Sequence, residues 1–139
     1  MVNSLFNDQK QIFRDAIRLA ENWRNAHDSS SFEGGSISEI QAFEATAEGQ
    51  KINALAIELD DYLQSLDFDE VKMLQTVMYL GRDQDYDKSL PPHLIYENEF
   101  DYFEKDGWVS KEVEINQMTE KMPLADYLKS GLDILKVSI

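Results

Sequence analysis

The chain of 139 residues contains no cysteine. This absence excludes disulfide bonds, thiolate nucleophiles, and zinc or iron–sulfur sites that depend on cysteine ligands. Long apolar runs are absent too, whereas a membrane-spanning helix needs about 20 consecutive apolar residues. The first eight residues lack the basic region and the apolar stretch of a signal peptide. We therefore expect a cytoplasmic protein without membrane contact.

Basic residues are scarce, with 13 lysines and arginines against 27 aspartates and glutamates, and the formal net charge is −14. Most of the excess lies in the middle of the chain. Residues 36–66 hold six acids and one base, and residues 67–107 hold eleven acids and four bases. Such a surface repels nucleic acid and anionic membranes and attracts cations. We expect a basic protein partner and no direct binding of nucleic acid.

Apolar residues recur three or four positions apart along nearly the whole chain, and no polar–apolar alternation is long enough to predict a sheet. We predict an all-α fold in which residues 1–139 form a single domain, a compact bundle of six or seven helices. The first helix is predicted to start after a cap at Asn3 or Ser4 and to run to about Asn25. One apolar stripe of that helix comprises Phe6, Phe13, Ile17, Ala20 and Trp23.

Two further helix starts are marked by a capping pattern. Ser36 is followed three residues later by Glu39, and Asp67 is followed at the same distance by Glu70. In this pattern the first side chain accepts a hydrogen bond from a first-turn amide, and the glutamate reaches back to the cap residue. We therefore predict that one helix begins near residue 37 and another near residue 68.

Breaks between helices are predicted from glycine and from polar runs. Residues 28–35 form an internal linker that ends in two glycines, and residues 82–92 form a polar loop after Gly81, which we predict to end its helix. Gly49 either ends a helix or only weakens it. The sequence therefore leaves open whether residues 36–66 form one helix or two.

Two short blocks carry a family resemblance. Residues 122–132 (MPLADYLKSGL) and residues 77–82 (VMYLGR) resemble the recurrent blocks of a bacterial family, domain-of-unknown-function family 3775. The resemblance covers roughly residues 50–136 and implies a compact helical bundle. It implies no activity, cofactor or catalytic residue. The N-terminal helix and the acidic aromatic stretch 96–108 depart from the pattern of that family.

Three aspartates in the predicted loop are the candidate metal ligands. Asp83, Asp85 and Asp87 have the spacing that opens a calcium-binding EF-hand loop. The glycine that should follow is Lys88, and the bidentate acid expected at the twelfth position is Leu94. We therefore expect a solvated loop and predict neither a metal site nor a cofactor.

Aromatic residues are concentrated in the same acidic region. Six of the fifteen aromatic residues fall within residues 86–108, interleaved with acids. Helical spacing predicts that Tyr96, Phe100 and Phe103 belong to the core. Exposed tyrosine and tryptophan supply large rigid contacts, and surrounding acids select a cationic partner. The residues that we predict to bind a partner are Tyr86, Glu97, Asp101, Tyr102, Glu104 and Trp108.

The function that these patterns favour is non-enzymatic protein binding through the acidic, aromatic face. A nucleic-acid-mimicking inhibitor of a basic DNA- or RNA-binding protein or toxin is one alternative. A small-ligand or enzymatic pocket inside the bundle is another, although its inward-facing polar candidates are too few to assemble a reaction: Gln75, Thr76, Tyr79 and Asn53. A homodimer through the exposed stripe of the N-terminal helix is the remaining possibility. No catalytic residue is predicted.

Overall fold

The computed structural model describes residues 5–30, 32 and 34–139. These residues form seven helices and no strand, which confirms the all-α prediction. No helix in the described part of the chain is long and apolar enough to cross a membrane. The helices are α1 (Lys10–Asp28), α2 (Ile37–Glu44), α3 (Ala47–Ser65), α4 (Phe68–Asp83), α5 (Pro92–Asp106), α6 (Lys111–Thr119) and α7 (Leu124–Ile134).

The buried apolar residues form one hydrophobic cluster around α4. Every described helix except α2 contributes to it, and α4 alone supplies six of its buried residues. α7 packs along α4, while α1 and α3 pack against each other and complete the cluster. α5 adds Ile95 to the cluster and leaves most of its surface in water. An acidic helix is thereby held against the centre of the bundle.

α4 and α7 approach each other through two glycines. A Cβ atom at Gly81 would overlap the carbonyl oxygen of Tyr127, and one at Gly131 would overlap the carbonyl oxygen of Val77. The prediction that Gly81 ends its helix is therefore wrong, because this glycine is needed inside α4 for close packing. The helix ends instead at Gln84, which adopts the left-handed conformation with φ 53° and ψ 31°.

The apolar stripe of α1 lies in the core. Phe13 is fully buried and Phe6 is 7% exposed, while Trp23 is half-buried and packs against the same cluster. This burial follows from the helical spacing of the stripe. The stripe is therefore not the exposed surface that the homodimer prediction assumed, and the homodimer itself stays a prediction.

The ends of α1 differ from the prediction. The candidate caps Asn3 and Ser4 lie outside the described residues, and the helix begins at Lys10 without a side-chain cap. It continues to Asp28 instead of ending near Asn25. The connection to α2 consequently comprises residues 29–36, one position later than the predicted linker at residues 28–35.

Residues 36–66 form two helices. Ser36 Oγ accepts a hydrogen bond from the amide of Glu39 (3.3 Å), and Glu39 Oε1 accepts one from the amide of Ser36 (3.5 Å), so the predicted capping box starts α2. Thr46 Oγ1 accepts a hydrogen bond from the amide of Gly49 (3.1 Å) and caps α3. Gly49 therefore lies in the first turn of α3 and does not end a helix.

α4 starts at the second predicted capping box. Asp67 Oδ1 accepts a hydrogen bond from the amide of Glu70 (2.8 Å), and Glu70 Oε1 accepts one from the amide of Asp67 (3.0 Å). The loop between α4 and α5 comprises residues 84–91, slightly fewer than the predicted 82–92. This loop carries part of the candidate site.

Candidate functional site

The solvent side of α5 carries the predicted acidic residues. Glu97, Asp101 and Glu104 are all exposed. Glu104 Oε2 lies 3.6 Å from Nζ of Lys72, which compensates its charge. Glu97 and Asp101 form no ion pair or hydrogen bond through their side chains with any described residue. Two of these three carboxylates therefore remain available to a partner.

A cleft of about 610 Å³ lies between the end of α4, the loop 84–91 and α5. Tyr102 is 66% exposed at this cleft, while Tyr86 is half-buried against the core. Both residues were predicted as contacts, and the structure brings them to one lining. The lining of the cleft includes three tyrosines and several acids, among them Tyr79, Tyr86, Tyr102, Asp83, Asp85 and Glu99.

Two aspartates of the loop region already have partners. Arg82 donates to both carboxylate oxygens of Asp83 (2.8 and 3.2 Å), and its guanidinium lies 4.5 Å from the ring centre of Tyr79. Asp87 accepts hydrogen bonds from the amide of Ser89 (2.9 Å) and from its hydroxyl (2.6 Å). These hydrogen bonds lower the pKa of Asp87. Neither aspartate is left uncompensated.

Asp85 and Glu99 differ from these aspartates, because neither side chain forms an ion pair or hydrogen bond with a described residue. Glu99 is half-buried, and burial raises its pKa, as do the nearby negative charges of Asp83 and Asp85. A partly desolvated carboxylate close to like charges is stabilised when a cation approaches. The sequence did not single out Glu99, although its helical spacing from Ile95 places it on the cleft side of α5.

The loop aspartates are not arranged as a calcium site. Asp83 is held by Arg82, and Asp87 is occupied by Ser89, so their oxygens do not converge with those of Asp85. In the described ranges of the chain, no group of three or more histidines, aspartates and glutamates is positioned to hold a metal ion.

Trp108 is not the exposed contact that we predicted. It is half-buried, and its indole N–H donates to Oε1 of Gln75 on α4 (2.8 Å). Its ring meets Phe100 edge-on at 4.8 Å between centroids and lies 4.9 Å from the ammonium of Lys72. Because α5 ends at Gly107, the chain turns there and lays the indole against α4. Trp108 therefore packs between α5 and α4 and helps to hold the two helices together.

A buried carboxylate that the sequence did not indicate lies beside Trp108. Glu114 on α6 is 4% exposed. Its Oε1 accepts from the side-chain amide of Gln75 (3.0 Å), and its Oε2 accepts from the amide of Val109 (2.8 Å). Among the described residues no buried side-chain polar atom lacks a partner. This satisfied network positions α6 and Trp108 against α4.

The polar residues considered for an enzymatic pocket do not form one cluster, although the side chains of Gln75 and Tyr79 interact one turn apart on α4. Gln75 is engaged with Trp108 and Glu114, and the hydroxyl of Thr76 donates to a backbone carbonyl within α4. Tyr79 lines the α5 cleft, whereas Asn53 lies on α3 in a different groove. The structure thus distributes these side chains over separate surroundings.

No protein-family model, curated protein or solved structure matches this chain. The resemblance of residues 50–136 to family 3775 therefore stays a prediction. The geometry of the α5 cleft is the basis for the functional proposal that follows.

Proposed function

We propose that this protein is a non-enzymatic cytoplasmic binding module that docks a basic partner protein on the solvent side of α5 and in the adjoining cleft. In the cleft, an arginine or lysine side chain of the partner binds the carboxylates of Asp85 and Glu99 and contacts the rings of Tyr86 and Tyr102. The observation that carries the proposal is the placement of two uncompensated carboxylates beside two tyrosine rings in one cleft.

Both the carboxylates and the tyrosine rings of this lining attract cationic side chains. A guanidinium forms charge-assisted hydrogen bonds with carboxylates and is attracted to the face of an aromatic ring. The chain already uses this combination, since Arg82 pairs with Asp83 and lies over Tyr79. A guanidinium from a partner would make the same kind of contacts with the neighbouring carboxylates and tyrosine rings of the cleft.

The charge around the cleft supports the same kind of partner. Residues 67–107 contain eleven acids, and the ion pairs within this fully described segment are those of Glu104 with Lys72 and of Asp83 with Arg82. The remaining acids contribute a negative field that extends into solvent. Such a field accelerates the encounter with a cationic protein and weakens as salt is added.

The alternatives receive less support from the geometry. A nucleic-acid mimic presents a regular row of uncompensated negative charges, but in the row of Glu97, Asp101 and Glu104 the last charge is paired with Lys72. An enzymatic pocket requires polar groups that converge, and Asn53 lies apart from the three candidates on α4. A cleft for a basic side chain uses the residues that do converge.

Replacing Asp85 by Asn and Glu99 by Gln together tests the proposal. Both changes keep the size of the side chain and remove its charge. We expect the double variant to bind a fluorescent oligoarginine peptide about tenfold more weakly than the unaltered protein, because two charge-assisted contacts are lost. Fluorescence anisotropy at low and at physiological ionic strength measures both the affinity and its salt dependence.

The matched control is the pair Asp8→Asn and Glu112→Gln, which removes the same net charge from exposed positions that do not line the cleft. We expect the control to lose only a small part of the affinity. Equal weakening by both pairs would mean that net charge alone attracts the peptide, and the cleft would then not be the binding site. Absence of binding to the unaltered protein would overturn the proposal altogether.

A further inference from the structure

Helix α2 contributes no buried residue, yet close contacts hold it in place against α3. Gly49 of α3 lies so near to α2 that a Cβ atom would overlap the carbonyl oxygen of Phe43. The ring of Phe43 stacks on that of Phe32 with centroids 4.7 Å apart and an interplanar angle of 20°. The hydroxyl of Thr46 donates to the carbonyl oxygen of Phe43 (2.6 Å) and fixes the corner between the helices. These contacts therefore fix the position of α2 relative to α3.

An apolar groove of about 690 Å³ lies between α2, α3 and the end of α1. Ile40 is 38% exposed and Ile57 is 50% exposed along its walls. Ile37, which precedes Ile40 by one turn on α2, is 76% exposed. Exposed apolar side chains on a rigid surface typically mark an interaction site. The principal apolar lining residues are Trp23, Phe32, Ile40, Phe43, Ala54 and Ile57.

The groove is bordered by uncompensated acids. Glu44 lines it, Asp61 lies one turn after Ile57 on α3, and Glu58 lies one turn after Ala54. All three acids are exposed, and their side chains form no ion pair or hydrogen bond with a described residue. No lysine or arginine is among the described residues of its lining. Lys51, the one base of residues 36–66, lines a different groove on the α1 side.

We propose that this groove binds an amphipathic helix of a basic partner protein. The apolar face of that helix lies on Ile40 and Ile57, and its flanking lysines or arginines face Glu44, Glu58 and Asp61. Helices commonly dock into grooves in this way, through apolar anchors spaced three and four residues apart. A second copy of this chain fits less well, because each copy has a net charge of −14 and would bring acids against acids.

This surface is separate from the α5 cleft. α2 packs on α3, whereas α5 packs on α4, and the two linings share no residue. The groove also differs in chemistry, since it offers a wide apolar floor with charge at its border, while the cleft offers carboxylates beside tyrosine rings. The groove proposal therefore stands whether or not the cleft binds arginine.

Two synthetic helical peptides with the same leucine face test the groove, one with lysine and the other with glutamate at every polar position. We expect the lysine peptide to bind the full chain and the glutamate peptide not to bind. The double variant Ile40→Ser and Ile57→Ser should bind the lysine peptide about tenfold more weakly, because two apolar contacts are lost. Both isoleucines are exposed, and circular dichroism verifies that the variant keeps its helices.

Charge variants distinguish the groove from the cleft. Glu58→Lys with Asp61→Lys should weaken binding of the lysine peptide strongly and reduce its salt dependence. Asp85→Asn with Glu99→Gln should weaken it several-fold less, because the cleft offers lysine-binding carboxylates but no apolar floor for the leucine face. Equal binding of the lysine peptide to the unaltered protein and to the isoleucine variant would overturn the proposal, as would binding of the glutamate peptide. A dimer in solution scattering that the isoleucine variant abolishes would assign the groove to a second copy and overturn it too.

Discussion

Glu114 is a buried carboxylate whose two oxygens each accept a hydrogen bond, one from the amide of Gln75 and one from the backbone of Val109. Gln75 in turn accepts the indole N–H of Trp108. Burial of a polar group costs free energy unless its hydrogen bonds are formed, so these groups depend on one another. The network links α4, α6 and the residue that follows α5, and it thereby sets the position of the acidic helix.

Replacing Glu114 by Ala should lower the free energy of unfolding by about 2–4 kcal/mol, because the buried side-chain amide of Gln75 and the backbone N–H of Val109 lose their acceptor. Urea denaturation followed by circular dichroism measures the change. Gln117→Ala is the matched control on α6, since Gln117 is exposed and should alter the free energy by less than about 0.5 kcal/mol. Equal effects of the two changes would show that the network does not stabilise the fold.

Helical spacing identified the exposed acids of the site but not its buried polar contacts. Glu97 and Asp101 follow directly from the side of α5 opposite to its aromatic residues. Trp108 comes just after the end of that helix, where helical spacing no longer predicts on which side a side chain lies. Glu114 and its partner Gln75 are separated by 39 positions in the chain. No local sequence pattern extends over such a separation. Exposure within a helix was therefore predictable, whereas contacts made across the bundle were not.

Glycine has two roles in the helices of this bundle, and the sequence alone does not distinguish them. Gly107 follows the last residue of α5 and caps that helix. Gly81 and Gly49 were considered as helix ends, yet both lie inside helices where a neighbouring backbone leaves no room for a Cβ atom. The capping boxes, in contrast, depend on residues within one turn, and both were predicted correctly at Ser36 and Asp67. Local signals located helix starts, while packing determined where glycine was needed.

Replacing Gly81 by Ala separates these two roles by the sign of its effect. If helix propensity governed this position, alanine would stabilise α4 by about 1 kcal/mol. We expect a loss of about 1–3 kcal/mol instead, because the added methyl group would force α4 away from Tyr127 on α7. Thermal unfolding followed by circular dichroism measures the change in Tm. A raised Tm would contradict the close packing of the two helices.

Ion pairs between elements are unevenly distributed over the molecule. Arg24 of α1 pairs with Asp126 of α7, and Lys129 of α7 pairs with Glu21 of α1, so the nearly neutral flanks of the chain bind each other. The acidic segment 67–107 has only four bases for its eleven acids. Its uncompensated carboxylates repel one another in the folded state, and this repulsion opposes stability while it serves to attract cations. Binding a basic partner would relieve it.

Charge reversal at Asp101 should therefore stabilise the protein. A lysine at this position would lie one turn after Glu97 and one turn before Glu104 and Lys105. Its attraction to the two acids outweighs its repulsion from Lys105, a net gain of roughly 0.3–0.5 kcal/mol at low ionic strength that should fade as salt screens the charges. Asp126→Lys is the contrasting control, because it removes the partner of Arg24 and should lower Tm. Thermal unfolding at several salt concentrations measures both variants. If Asp101→Lys lowered Tm at low salt, the carboxylates of α5 would not be repelling one another, and the field proposed to attract a basic partner would lack its source.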